Sequence, residues 1–201
     1  MYNYHNTETV TVKNYPRSVT PAKAKASSKR WYQIFDLAGS VAAALVVIFI
    51  IFTFFFRAVN VVGRSMMPTL SDGDWLLVSD ESEYEHGDII IITQPNDRNE
   101  PLVKRIIAKG GETIDIDFST HEVKVNGKLL NEPYIKAPTA LSYDVEFPYT
   151  VPEGCVFAMG DNRNDSLDSR SSSIGPIDER YILGKCVFRV APIKNFEFFG
   201  F

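Results

Sequence analysis

The feature that most constrains this chain is an apolar run from Leu37 to Phe56, which contains no charged residue. A helix of this length, at about 1.5 Å per residue, spans about 30 Å, the thickness of a bilayer core. A cleaved secretory signal usually has a shorter apolar region of about 7 to 15 residues, and a buried soluble helix usually keeps a polar stripe. The run therefore predicts a transmembrane helix over residues 37–56.

The residues before this run form a polar tail with more basic than acidic side chains. The charged residues are Lys13, Arg17, Lys23, Lys25, Lys29 and Arg30, against Glu8 and Asp36. Because basic flanks stay in the cytoplasm, they predict a cytoplasmic N-terminus and an extracytoplasmic segment from residue 57 to residue 201. The polar composition predicts disorder for residues 1–36. Spaced basic residues beside a membrane segment favour a juxtamembrane role over a nucleic-acid arm, so we expect no nucleic-acid partner.

The segment from residue 57 to residue 201 has the pattern of an all-β domain. Short apolar or alternating runs, separated by Gly, Pro, Asn and Asp, predict strands and mainly antiparallel sheets. These runs are residues 75–78, 88–93, 102–108, 113–117, 123–130, 155–159 and 184–190. Asn126-Gly127 divides the fifth run and predicts a type I′ hairpin turn.

A serine between a glycine and a proline lies shortly after the apolar run, in the stretch Gly63 to Leu70. A serine is a weak nucleophile unless a neighbouring base removes its proton, so Ser65 needs a partner. The three histidines are His5 in the polar tail, His86 in a turn-like segment and His121 beside the predicted hairpin. None of them has the context of a catalytic triad.

Lys104 is the better candidate for that base. Side chains alternate between the two faces of a strand, so Lys104 shares a face with the apolar residues Leu102, Ile106 and Ala108. An apolar face penalises the ammonium form, and a lysine whose pKa falls to about 7 to 8 can act as a general base near neutral pH. The alternative is a surface lysine beside Arg105 on an edge strand.

A third stretch, Gly160 to Arg170, has the sequence Gly-Asp-Asn-Arg-Asn-Asp-Ser-Leu-Asp-Ser-Arg. Together with the stretches around Ser65 and Lys104, it resembles the sequence boxes of bacterial type I signal peptidases, the Ser/Lys leader peptidases. The boxes occur in the same order after a membrane anchor, and the resemblance extends from about Leu37 to Phe188. With one anchor and a compact outer domain, the chain is more similar to Gram-positive members than to the two-anchor enzymes.

This resemblance implies a role for each matching residue. Ser65 would be the nucleophile and Lys104 its general base, while Ser166 would orient the lysine amine. The further structural positions are Asp161, Arg163 and the ion pair Asp168–Arg170.

The resemblance also suggests the oxyanion donors, and it identifies a region in which family members differ. The Ser65 backbone N–H would be the first donor. Some family members supply a second donor from a serine hydroxyl two residues before the nucleophile, where this chain has Gly63. A water molecule or another backbone amide remains open as that donor. Residues 109–152 correspond to a more variable β insertion.

The implied substrates are secretory preproteins that bind as an extended strand. Alternation then directs the residues at −1 and −3 from the scissile bond toward the enzyme together. Shallow apolar pockets would accept small side chains there, which is the A-x-A pattern of secretory signals. Candidates for the pocket walls, chosen for their nearness to Ser65, are Val59, Val61 and Met66, for which core packing is the alternative.

Two cysteines, Cys155 and Cys186, are too far apart in sequence for a metal or redox motif. Outside the membrane they could form a disulfide between adjacent strands, and two buried free thiols are the alternative. No stretch has the spacing of a metal site or a phosphate-binding loop, so we expect no metal and no cofactor.

The sequence therefore predicts a plasma-membrane serine endopeptidase with one membrane pass, which removes signal peptides from exported preproteins. The bilayer and the protein-export translocon are the further expected partners. Two alternatives stay open. One is a Ser/Lys protease that cleaves itself or a dedicated client, and the other is a non-catalytic, membrane-anchored β module that binds exported chains.

Overall fold

The computed structural model describes residues 22–80, 83–95 and 100–199. The chain divides into two compact units, residues 1–49 and residues 50–201. One long helix, α1 (Ala22–Phe55), begins in the first unit and ends in the second. Its segment Trp31–Phe55, 25 residues long, has the length and the apolar composition needed to cross a membrane.

Helix α1 begins earlier than the sequence predicted. Residues 22–36 are helical, although we expected disorder there. Residues 1–21 of the predicted tail lie outside the described residues. The segment from Ala22 to Ala26 alternates alanine with lysine, and no proline or glycine follows before Asp36. Both residue types favour helix, so a helix nucleated in the apolar run extends through the basic segment.

The described residues of the second unit contain twelve strands and two short 3-10 helices. The strands are β1 (Phe56–Asn60), β2 (Trp75–Ser79), β3 (Ile89–Ile92), β4 (Leu102–Lys109), β5 (Thr113–Asp117), β6 (Glu122–Val125), β7 (Lys128–Leu129), β8 (Tyr149–Thr150), β9 (Cys155–Met159), β10 (Ile177–Asp178), β11 (Ile182–Ala191) and β12 (Glu197–Phe198). The 3-10 helices are Glu179–Tyr181 and Ile193–Asn195. All the predicted strands are present, and β1, β8, β10 and β12 were not predicted.

The larger sheet has the order β1-β2-β11-β3-β4-β9-β10, and β12 pairs with β11. Its strand pairs are antiparallel. The smaller sheet, β7-β6-β5-β8, is also antiparallel and lies within the region predicted to be a variable insertion. The predicted hairpin turn is present, with positive φ at Asn126 and Gly127. These features confirm the predicted fold class.

Strand β4 is buried on both of its faces. Ile106 packs in one hydrophobic cluster with Ile90 of β3, while Ile107 packs in a second cluster that includes the smaller sheet. A third cluster lies under the segment after β1 and contains Val61 and Met66. A lysine on β4 is consequently enclosed by packed strands, and the end of β1 brings the Ser65 segment to the same region.

Candidate active site

Ser65 lies in a tight turn that follows β1. The Val61 amide donates to Asp74 O at 2.8 Å, which extends the pairing of this chain segment beyond the strand. Gly63 then adopts φ +93°, a conformation that L side chains rarely adopt, and it turns the chain toward Ser65. The Leu70 amide donates to Met66 O at 2.9 Å and closes the turn. The serine is therefore presented from a fixed backbone, and its side chain is partly exposed.

Lys104 lies on β4 opposite Ile90 of β3 and is 3% exposed. Its Nζ is 3.0 Å from Ser65 Oγ and 3.0 Å from the carbonyl oxygen of Val103. Leu102 and Ile106 pack in or against one hydrophobic cluster, as the alternation predicted, but Ala108 packs in another because the register shifts between Ile106 and Ala108. Burial penalises the charged ammonium form, and the neutral amine can accept the serine proton at the same distance.

The loop from Gly160 to Arg170 binds the backbone of the serine turn. The Asn162 amide donates to Ser65 O at 2.9 Å, and Asn162 Nδ2 donates to Arg64 O at 3.0 Å. Gly160 lies between the two segments, since a Cβ added there would stand 2.2 Å from Ser166 Oγ and 2.5 Å from Ser65 O. Any side chain at residue 160 would displace Ser65 or Ser166. The sequence alone indicated no role for Asn162 or Gly160.

Ser166, Asp168 and Arg170 form one buried network within this loop. Ser166 Oγ donates to Asp168 Oδ2 at 2.8 Å, and the Gly160 amide donates to the same oxygen at 3.0 Å. Arg170 Nε donates to Asp168 Oδ1 at 2.8 Å, and Arg170 Nη2 donates to Asp168 Oδ2 at 2.9 Å. The predicted ion pair is therefore present, and it fixes the rotamer of the Ser166 hydroxyl.

Asp161 pairs with Arg105, a partner that the sequence analysis did not identify. Arg105 Nε and Nη2 donate to the two carboxylate oxygens at 2.9 Å and 2.7 Å, and Thr69 Oγ1 adds a third donor at 2.6 Å. The guanidinium also lies under the Tyr134 ring, 4.2 Å from its centroid. Burial raises the pKa of Tyr134 to about 12, so the phenol stays neutral. Asp161 thus joins the serine turn to the strand that carries Lys104.

Arg163 is fully buried and joins the same loop to the long connection after β7. Its guanidinium donates to both carboxylate oxygens of Glu132, at 3.0 Å and 2.5 Å. It also donates to Thr139 Oγ1 at 2.9 Å and to Gly160 O at 3.1 Å. Arg163 therefore connects Glu132 and Thr139 to the Gly160 backbone.

A cleft of about 740 Å³ contains both Ser65 and Lys104. The three predicted pocket residues line it, and each also packs in or against the third hydrophobic cluster. These residues are Val59, Val61 and Met66. Leu141 and Tyr143 line the cleft as well, although we gave their segment no role. Tyr143 Oη donates to Ser166 O at 2.9 Å, which attaches that segment to the site loop.

Cys155 and Cys186 are free thiols, so the possible disulfide is absent. They lie on β9 and β11, which are separated in the sheet by β4 and β3. Burial raises the pKa of Cys186 to about 12 and also raises the pKa of Cys155, which keeps both thiols protonated.

Other candidate ligands and bases lie away from the serine. His86 Nε2 is 2.6 Å from Glu112 Oε2, and His121 Nδ1 is 3.1 Å from Thr139 O. Neither histidine is among the described residues that line the cleft. Among the described residues, no group of three or more His, Cys, Asp or Glu side chains is arranged to hold a metal ion.

A serine hydroxyl in contact with a buried lysine amine, at the floor of an open cleft on a β body, defines a candidate serine hydrolase. The chain belongs to the signal peptidase family, peptidase S26, whose family model matches residues 34–191. It is accordingly a serine endopeptidase that removes signal peptides.

The relatives of this chain cover most of its length. It is 36% identical to a signal peptidase I of Bacillus licheniformis, over 87% of this chain and 94% of that protein. It is 34% identical to signal peptidase I T of Bacillus subtilis strain 168, over 85% of this chain and 92% of that protein. It is 30% identical to signal peptidase IB of Staphylococcus aureus strain MRSA252, over 79% and 90% respectively.

A solved structure is also similar. The signal peptidase I of Enterococcus faecalis V583 aligns with a TM-score of 0.41 and 27% identity, over 53% of this chain and 98% of that one. The family model and the relatives confirm the predicted family and function, and they favour neither the dedicated protease nor the non-catalytic module.

Proposed function

We propose that Ser65 is the nucleophile of this peptidase and Lys104 its general base. The observation that carries the proposal is the 3.0 Å distance between Lys104 Nζ and Ser65 Oγ. A lysine that is 3% exposed is costly to charge, so its neutral amine is available to accept a proton. In that state the serine hydroxyl donates to the amine, and removal of its proton accompanies attack on the substrate.

The reaction divides into two steps. Ser65 Oγ attacks the scissile carbonyl carbon while Lys104 takes the hydroxyl proton, and the tetrahedral intermediate collapses to an acyl-enzyme. The ammonium returns that proton to the leaving amine, which departs as the new N-terminus of the mature protein. A water molecule then attacks the acyl carbon with the same lysine as base, and Ser65 regains its proton.

The oxyanion is stabilised by the Ser65 backbone N–H. Preorganised amide donors stabilise the negative charge that develops on the carbonyl oxygen. Gly63 provides no side-chain donor, and its own amide already donates to Asp72 Oδ1 at 2.8 Å. The donor set of this chain therefore differs from that of family members with a serine hydroxyl at residue 63.

The site loop positions the base and the nucleophile. Ser166 lines the cleft with Lys104, and Asp168 fixes the Ser166 hydroxyl. The resemblance gives Ser166 the task of orienting the lysine amine. The ion pairs of Asp161, Arg163 and Asp168–Arg170 stabilise the conformation of this loop.

The substrate binds as an extended strand in the cleft, with small side chains at −1 and −3. Val59, Val61 and Met66 form the apolar wall that would accept these side chains. Val61 and Met66 are buried members of the third hydrophobic cluster and Val59 packs against it, so close packing behind the wall opposes its displacement by a larger side chain. This packing supports a preference for small side chains at −1 and −3.

The apolar helix would anchor the enzyme in the plasma membrane as a single pass. The basic residues before the apolar run favour a cytoplasmic N-terminus and an extracytoplasmic β domain from residue 57. Signal peptides carry an apolar segment of their own, so the bilayer and the export translocon are the expected partners.

The test is cleavage of a signal-peptide-bearing preprotein in liposomes, with products identified by mass. Wild type should cut after a small-x-small site, and Ser65→Ala and Lys104→Met should be folded and inactive. Lys124→Met is the matched control, because Lys124 is a partly exposed lysine that pairs with Glu122 on β6 and does not line the cleft. Cleavage by Lys104→Met at the wild-type rate would show that Lys104 is not the base.

A further inference from the structure

Two oppositely charged side chains lie at the exposed edge of the cleft, each directly before a proposed site residue. Arg64 precedes Ser65, and Asp165 precedes Ser166. Their Nη2 and Oδ2 atoms are 3.2 Å apart, and both residues line the cleft that contains Lys104. The proposed mechanism uses neither side chain.

The backbones of Arg64 and Asp165 are fixed, whereas their side chains are exposed. Arg64 O accepts from Asn162 Nδ2 at 3.0 Å, and the Asp165 amide donates to Asn162 O at 2.9 Å. The Arg64 side chain is 72% exposed and that of Asp165 is 54% exposed. Exposed ion pairs contribute little to stability, so a charged substrate group can replace one partner at small cost.

The sign of the preference follows from Arg64, the exposed charge directly next to Ser65 in the chain, and not from the summed charge of the cleft, where Glu100 and Asp165 are carboxylates. The charged residues among the described lining are Arg64, Glu100, Lys104 and Asp165. Lys104 is buried and contacts Ser65, so Arg64 is the exposed cation of this lining. A guanidinium offers five N–H donors in a planar fork that matches a carboxylate, and the ion pair with Asp165 engages Nη2.

We propose that Arg64 is a specificity-determining residue that favours preproteins with an acidic side chain beside the scissile bond. Asp165 holds the Arg64 guanidinium at the edge of the cleft in the free enzyme. In the complex, a substrate carboxylate takes the place of the Asp165 carboxylate. This inference rests on the proposed function, because it takes Ser65 as the point of attack and so brings the scissile bond next to Arg64. A basic substrate side chain at the same place meets the guanidinium as a like charge and is disfavoured.

The test uses peptides of one sequence with a small-x-small site, each carrying Glu, Gln or Lys at −2, +1 or +2. At one of these positions, wild type should cleave the Glu peptide with a kcat/KM about three- to tenfold above that of the Lys peptide, the range that exposed charge pairs support. Arg64→Glu should reverse this order. The double variant Arg64→Glu/Asp165→Arg should restore it, since the cation returns to the same pair.

Two controls separate recognition from a general effect of charge. Arg180→Glu changes an exposed arginine that also pairs with an aspartate, Asp178, and is not among the residues lining the cleft. This variant should keep the wild-type Glu to Lys ratio. Raising the salt from 0.05 to 0.5 M should reduce the wild-type ratio toward one, because the charges are exposed and screened, with a Debye length of about 10 Å at 0.1 M.

Equal cleavage of the Glu and Lys peptides by wild type at every position would overturn the inference, as would an unchanged ratio in Arg64→Glu. The Gln peptides keep the two proposals distinguishable. If wild type cleaves them and Ser65→Ala does not, the proposed function stands whatever the charge series shows. If wild type cleaves no peptide of the series and no preprotein, the proposed function and this inference both fail.

Discussion

Two of the Asp-x-Arg motifs in this chain, Asp168–Arg170 and Asp178–Arg180, lie ten positions apart. Their side chains make nearly the same contacts in opposite surroundings. In the first, Arg170 Nε and Nη2 donate to Asp168 at 2.8 Å and 2.9 Å, and both side chains are fully buried. In the second, Arg180 Nε donates to the two oxygens of Asp178 at 2.9 Å and 3.1 Å, but the arginine side chain is 85% exposed. The motif alone does not reveal its role.

What differs is the set of additional groups that each pair holds. Arg170 also donates to Leu141 O and Arg163 O, both at 2.7 Å, and Asp168 accepts from Ser166 and Gly160. The exposed pair holds fewer additional groups. Asp178 caps the short helix Glu179–Tyr181, and the Arg180 side chain is mostly in solvent. Burial and additional hydrogen bonds make the first pair part of the loop that contains Ser166, whereas the second pair only caps a short helix.

The largest effect should come from breaking the buried pair. Asp168→Ala leaves the Arg170 guanidinium buried without its carboxylate, which costs about 3 to 5 kcal/mol in the free energy of unfolding. It also frees the Ser166 hydroxyl, so preprotein cleavage should be lost. Urea unfolding of the detergent-solubilised protein measures the first effect, and Asp178→Ala is the matched control. Equal destabilisation by the two substitutions would contradict the comparison.

The next effect concerns the close packing that the buried pair maintains around Gly160. Gly160→Ala places a Cβ within 2.2 Å of Ser166 Oγ and 2.5 Å of Ser65 O. Because the nucleophile must shift, we expect kcat to fall about 100-fold, the cost of a displacement near 1 Å. Gly39→Ala is the control, since a Cβ there meets nothing within 4 Å. Wild-type kcat in Gly160→Ala would show that the serine turn tolerates displacement.

A smaller effect should follow from removing one peripheral hydrogen bond of the buried network. Tyr143→Phe deletes the 2.9 Å bond to Ser166 O and keeps the ring near the Arg170 guanidinium. The free energy of unfolding should fall by about 0.5 to 1.5 kcal/mol. Activity should fall by less than in Gly160→Ala, which parallel assays of the two variants will measure. A Tyr143→Phe variant that loses all activity would give this tyrosine a direct part in catalysis.

The smallest effect belongs to the exposed pair and depends on pH. Hydrogen bonds from the Arg180 side chain, and then from its backbone, lower the pKa of Asp178 from its ordinary 3.8 to about 2. Because the folded pKa lies below the unfolded one, the stabilisation is present above pH 3.8 and disappears as the pH falls through about 2. The melting-temperature difference between wild type and Asp178→Asn should shrink over that window and in high salt. A difference independent of pH would exclude this origin.

Much of the fold and the centre of the site could be predicted from local patterns. Alternation placed Lys104 on a buried face, and the Asn126-Gly127 pair marked its hairpin, because period and turn chemistry act within a few residues. Ser65 was predicted as the nucleophile from its position shortly after the apolar run and from the family resemblance.

The remaining features depend on which strands become neighbours. The partnership of Arg105 with Asp161 joins residues 56 positions apart, and no local pattern specifies it. Cys155 and Cys186 were free to pair in the sequence, and the sheet order separates them. Tyr143 and Leu141 line the cleft, and hydrogen bonds attach their connection to the site loop, which periodicity does not reveal.

The most direct test of the central claim, that Lys104 activates Ser65, is to detect the acyl-enzyme. The enzyme would be incubated with an ester of a signal peptide ending in a small-x-small site, quenched in acid, and digested for tandem mass spectrometry. The account predicts an acyl group on Ser65 in wild type and in Lys124→Met, and none in Lys104→Met or Ser65→Ala. An adduct on another residue, or one that forms as rapidly in Lys104→Met as in wild type, would contradict it.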